Sequence, residues 1–91
     1  MNQKKIGNFI SELRKEKNLT QEQLGQKLGV SNKTISRWEN GNYLPDISLF
    51  ESISQEFCIS INELLKGEKI EKQNELKESH NNIISILSKN K

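Results

Sequence analysis

An all-α fold, a bundle of five short helices followed by a charged helical tail, is what this sequence predicts. Three observations carry that expectation. Leucine, isoleucine and phenylalanine recur three and four positions apart through most of the chain, the spacing that puts side chains on one face of a helix. Ser, Thr and Asp stand where those stretches begin, twice with Gln or Glu three positions later, and Gly or Asn stands where they end. The 91 residues suffice for one core of such helices and are too few for two independent ones.

The elements follow in order. Over residues 3 to 17, Ile6, Phe9, Ile10 and Leu13 form one stripe bordered by Lys4, Lys5, Glu12, Lys15 and Glu16. Asn18 is a C-terminal breaker, and Leu19 precedes Thr20, which caps a second helix over residues 21 to 28 with Gln23 reaching back to it. Leu24 and Leu28 bury one face of that helix, and Gly29 ends it in the left-handed conformation that Gly reaches without steric cost. Ser31 caps a third helix over residues 32 to 40, with Ile35 and Trp38 turned inward. GNYLP is a loop, because Leu44 before Pro45 is pushed out of the α region. Asp46 then caps a fourth helix whose inward residues are Leu49, Phe50, Ile53 and Phe57, with Cys58 at its end as a small buried apolar group. Ser60 and Glu63 form a capping box for a fifth helix that turns Leu64 and Leu65 inward and stops at Gly67.

From Glu68 the composition shifts to Glu, Lys, Gln, Asn and Ser, which separates a helical unit at residues 1 to 67 from a charged helical tail, a linker or dimerisation segment, at 68 to 91. If that segment is helical, Leu76, His80, Ile83, Ile84 and Leu87 gather in one stripe. The stripe suits a dimer interface, a strap packed back on the bundle, or a linker to a further C-terminal effector domain. A chain that opens on Met and closes on SKNK fits either a whole small protein or the front of a longer one.

Charge excludes less than its placement does. The formal net charge is +2, and residues 1 to 67 carry nine Lys and Arg against eight Asp and Glu. Bulk charge therefore announces no nucleic-acid partner, and the argument rests on where the cations sit. One cysteine allows no internal disulfide, and with the single histidine it provides no zinc-ligand set. No metal or cofactor is expected. The N-terminus lacks an apolar core of the kind a signal peptide has, and no run approaches the ~18 to 20 apolar residues of a membrane span. A reducing cytoplasm, in association with the nucleoid, is the expected location. No nucleophile with a base and no carboxylate pair stands at usable spacing, so an enzyme is not expected.

The stretch LTQEQLGQKLGVSNKTISRWENG reads as two helices joined by a tight turn. At 100° per residue, Lys33, Ser36, Arg37 and Asn40 fall opposite the apolar edge of the second of them. A helix with positive charge and hydrogen-bond donors on its outer face suits the major groove, about 12 Å wide. Arg37 is the best reader, since its planar fork can pair with guanine O6 and N7; Asn32 suits adenine, and Lys33 suits base or phosphate. Trp38, beside Ile35, belongs to the core rather than to a base stack.

Together with PDISLFESISQEFCISINELL, this stretch resembles the phage repressor and Cro type of helix-turn-helix domain, also called the xenobiotic response element family, over about residues 6 to 67. The resemblance implies a five-helix bundle that binds operator DNA, usually as a two-fold dimer, with the third helix in the major groove. Carried over by position, it implies that Ser31, Asn32, Lys33 and Arg37 read bases and line the groove. It implies backbone contacts from Gln21, which also buttresses the reading helix, and from Thr34, Ser36, Asn40, Asn42 and Tyr43, and an internal ion pair between Arg14 and Glu39. Gly25 departs from the family's usual Ala; it still permits close helix packing, at a helix-propensity cost of about 1 kcal/mol.

Two functions follow from this reading. The first is a double-stranded DNA-binding transcriptional regulator, a dimeric repressor on an inverted repeat. The alternative is an antitoxin-like module whose tail holds a partner protein, with DNA binding used for autoregulation.

Overall fold

The computed structural model describes residues 1–70, and within them the chain forms five helices and no strand. The helices are α1 (Gln3–Glu16), α2 (Gln21–Leu28), α3 (Asn32–Glu39), α4 (Ile47–Phe57) and α5 (Ile61–Lys66). The tail stripe from Leu76 to Leu87 lies outside the described residues.

Side chains fix the helix starts. The Gln23 amide donates to Thr20 Oγ1 at 3.0 Å and the Thr20 amide donates to Gln23 Oε1 at 2.8 Å. Ser60 and Glu63 repeat the arrangement at 3.0 and 2.8 Å. Each box satisfies two amides that the first turn of a helix leaves without partners. Asn2, Ser31 and Asp46 cap α1, α3 and α4. Asn18 ends the α1 region at φ 57°, and Gly29 ends α2 at φ 76°.

The core gathers Ile6, Phe9, Ile10 and Leu13 of α1, Leu24 of α2, Ile35 and Trp38 of α3, Phe50, Ile53 and Phe57 of α4, Ile59, and Leu64 of α5. Leu28, Leu49 and Leu65 reach it half-buried. α1 is the central element: it packs along both α3 and α5, while α2 packs on α3 and α4 on α5. At a typical 1.5 to 3 kcal/mol per fully buried side chain, these twelve residues dominate the stabilising side of folding.

Three expectations change. Cys58 is exposed rather than buried. It occupies the C-cap of α4 at φ 54°, and that left-handed backbone carries its side chain past the end of the apolar stripe. Helix α3 closes at Glu39, with Asn40 as its cap. Gly25 is more than a tolerated substitute for Ala: a β-carbon there would lie 2.5 Å from the Val30 carbonyl oxygen, so the turn sits closer to α2 than an Ala allows without a shift.

Candidate nucleic-acid interface

The interface is built on a clamp. Glu39, at the end of α3, receives Arg14 Nε at 2.7 Å on Oε2 and Arg14 Nη2 at 3.0 Å on Oε1. Arg14 Nη1 donates to the Leu19 carbonyl at 2.7 Å, and Gln21 Nε2 donates to Glu39 Oε1 at 3.1 Å. One guanidinium thus joins α1, the entry to α2 and the end of α3, and Gln21 closes the ring. A planar fork meeting a carboxylate edge-on is the geometry in which such a pair is strongest. Burial pushes the Glu39 carboxyl up, but hydrogen bonds from Arg14, Gln21 and Ser11 and the charge of Arg14 outweigh it and hold the group below its ordinary value. The same hydrogen bond raises Arg14, against the opposing effect of its own burial.

With its end clamped, α3 is oriented by the turn before it. Ser31 Oγ accepts the Thr34 amide at 3.2 Å and lies 3.1 Å from Thr34 Oγ1. The Val30 amide donates to the Gly25 carbonyl at 2.9 Å, which fixes the turn on α2. Asn32, Lys33 and Arg37 are left exposed on the outer face, and none of the three side chains has a hydrogen-bond or ion-pair partner among the described residues. Ser31 is exposed too, although its hydroxyl is occupied as the cap.

The candidate backbone contacts flank this helix. Gln21, half-buried, stands at the start of α2, where its amide group is spent partly on Glu39. Asn40 Nδ2 donates to Ser36 Oγ at 3.3 Å, so those two residues form a pair, and Thr34 is half-buried. After Gly41 the chain reverses: the amides of Asn42 and Tyr43 both point at the Arg37 carbonyl, at 2.9 and 3.4 Å. The Arg37 guanidinium carbon lies 5.6 Å from the centroid of the Tyr43 ring. Thr34, Arg37, Trp38, Tyr43 and Leu44 bound a shallow cleft beside α3.

Two residues join this region without any signal in sequence spacing. Gln3 Nε2 donates to the Gly41 carbonyl at 3.2 Å, and Lys4 lies against Gly41. Both sit at the start of α1, brought to the loop because Gly7 lets α1 approach the end of α3: a β-carbon on Gly7 would lie 2.0 Å from the Trp38 carbonyl oxygen. Among the described residues, no cluster of His, Cys, Asp and Glu could hold a metal ion, and no helix is long and apolar enough to cross a membrane.

Two capped helices at a glycine turn, the second clamped at its end and bare on its outer face, form a recognisable unit, and residues 10–64 match the family model described as helix-turn-helix. The chain belongs to the helix-turn-helix family. It is similar to the HTH-type transcriptional activator BcrR of Enterococcus faecalis, 42% identical over an alignment of 84 residues that covers 86% of this chain and 41% of BcrR. The helix-turn-helix chain therefore spans about two fifths of the length of that relative. It is 36% identical over 81 residues to the uncharacterized HTH-type transcriptional regulator YqaE of Bacillus subtilis, covering 87% of this chain and 70% of YqaE. The fold superposes on the P22 c2 repressor in complex with a synthetic operator with a TM-score of 0.65 at 35% identity, over 69% of this chain and 96% of the repressor chain.

Proposed function

We propose that this chain is a sequence-specific double-stranded DNA-binding transcriptional regulator that lays α3 in the major groove, acts in the bacterial cytoplasm on nucleoid DNA, and catalyses no reaction. The supporting observation is the contrast within α3. Its end is fixed by Glu39 while the side chains of Asn32, Lys33 and Arg37 have no hydrogen-bond or ion-pair partner among the described residues, so their donors and charge stay available on a helix already held in place. Arg37, Asn32 and Lys33, with Ser31 at the groove wall, read base edges. Gln21, Thr34, Ser36, Asn40, Asn42 and Tyr43 set the register on the phosphates. Likeness to a repressor crystallised on operator DNA supports this pose.

Two copies bind an inverted repeat with reading helices about 34 Å apart, one helical turn of DNA. Occupancy of the promoter represses transcription. That sign is set by where the site lies relative to the promoter and not by α3, since this chain is similar both to a protein named an activator and to one named a repressor.

Selection of random duplexes with the purified full chain, alongside its mass in solution, tests the proposal. A two-fold symmetric site and a dimeric mass are expected. Arg37→Ala should erase discrimination at one base pair per half-site, about 1 to 3 kcal/mol. Gln21→Ala should weaken operator and random duplex alike. Equal loss on both duplexes for Arg37→Ala would count against base reading by that residue.

A further inference from the structure

The geometry points to Tyr43 as a positioning residue for sequence discrimination: its ring holds the Arg37 guanidinium in place for base reading. The inference rests on the DNA-binding role proposed above and gives Tyr43, beside the phosphate contact expected of the loop, a second role that acts through Arg37.

Tyr43 is fixed to Arg37 twice. Its amide and that of Asn42 point at the Arg37 carbonyl, so the loop is hung on the very residue whose side chain it meets. The ring then lies 5.6 Å from the guanidinium carbon, inside the ~6 Å range in which a cation is attracted to an aromatic face. On the other side, Leu44 packs half-buried against the core and Pro45 is buried, so the backbone carrying the ring is held at both ends. Tyr43 remains 57% exposed, so the ring is open to the side from which a duplex would approach α3.

The chemistry of the contact is what suits it to this task. A carboxylate partner would hold Arg37 too, but would consume the donors that base reading needs. An aromatic face supplies attraction and takes no hydrogen bond, and among the described residues no carboxylate pairs with Arg37. The guanidinium is therefore restrained while its five N–H groups stay available. A long side chain ordered before binding loses less entropy on binding, and only its correct partner benefits fully from the fixed direction.

The test measures discrimination at the base pair read by Arg37, identified as the pair whose change Arg37→Ala no longer senses. Tyr43→Leu should reduce that discrimination about two- to fivefold, the worth of an exposed cation–ring contact. Tyr43→Phe and Tyr43→Trp should keep it, whatever removal of the hydroxyl does to total affinity. In the Arg37→Ala background Tyr43→Leu should leave the ratio between sites unmoved. Thermal melting of each variant separates a loosened loop from a lost contact, because the aromatic replacements retain the ring in any loop that still folds. Discrimination unchanged in Tyr43→Leu, or lost equally in Tyr43→Phe, overturns the role of Tyr43. A chain that selects no preferred duplex at all overturns this role and the proposed function together.

Discussion

A carboxylate with only 6% of its side chain exposed, as Glu39 has, is costly to keep charged unless its oxygens are met by donors. Arg14, Gln21 and Ser11 supply them. Removing Arg14 leaves that charge buried without its cation, so Arg14→Ala should cost about 3 kcal/mol or more in urea unfolding. Arg14→Lys should recover only part of this, because an ammonium cannot span both oxygens and the Leu19 carbonyl at once. The pH dependence has a defined sign. A folded-state value below the unfolded one makes the Glu39 contribution fully present above the unfolded value, about 4.3, and lost as pH falls below it. Arg14 stays charged throughout. The stability difference between wild type and Glu39→Gln at neutral pH should therefore shrink in acid titration; a difference unchanged at pH 3 would remove the linkage from Glu39. The pairing of Arg14 with Glu39 and the buttressing of α3 by Gln21 both came from a family resemblance, whereas the meeting of the two on one carboxylate is a consequence of how α2 meets α3 and has no counterpart in spacing.

Between elements, distance of approach decides. Alanine on a helix normally gains about 1 kcal/mol over glycine, so propensity alone says that Gly7→Ala and Gly25→Ala stabilise. The structure reverses the sign. The added carbon would meet the Trp38 carbonyl at 2.0 Å in the first case and the Val30 carbonyl at 2.5 Å in the second. Neither backbone oxygen can swing aside as a side chain can, so α1 must back away from α3, or the turn from α2. Gly7→Ala should destabilise by about 3 kcal/mol and Gly25→Ala by less, both read from thermal or denaturant unfolding. Gly29→Ala, with open space but φ 76°, should cost only the left-handed strain of about 1 to 2 kcal/mol. Helix starts and stops were legible in the sequence because caps are local chemistry: Thr20 with Gln23, Ser60 with Glu63, Asn18 and Gly29 act on their own neighbours. Gly7 was not legible, since its reason for being glycine lies on α3. Cys58 was misread for a related reason, as its residue type suggests burial while the left-handed cap it occupies sets its direction.

Over the whole molecule, a net charge of only +2 is reconciled with a polyanionic partner by which cations are already spent. Lys17 and Lys27 both reach Glu56, at 3.1 and 3.8 Å, Lys5 reaches Glu68 and Lys69 reaches Glu16. Lys17 also donates to the Glu56 carbonyl and lies over the Phe57 ring, tying the end of α1 to the end of α4. These exposed pairs contribute a few tenths of a kcal/mol each and are screened by salt. Lys33 and Arg37 are in no such pair among the described residues, and Lys4, also unpaired, stands beside the Gly41 loop. On the proposed function, these unpaired cations around α3 are the ones that meet the phosphates. Each phosphate neutralised releases counterions, so log affinity falls with log salt by about 0.9 per contact. Lys33→Gln removes a cation from the outer face of α3 and should make that slope shallower by up to about 0.9 per protomer. Lys17→Gln with Lys27→Gln should leave the slope unchanged and lower stability by less than about 1 kcal/mol. Titrating one duplex at several salt concentrations with both variants separates the two outcomes. A slope that drops as much for the Lys17 and Lys27 pair as for Lys33 would place the DNA against α2 and the end of α1, and would move the interface away from the outer face of α3.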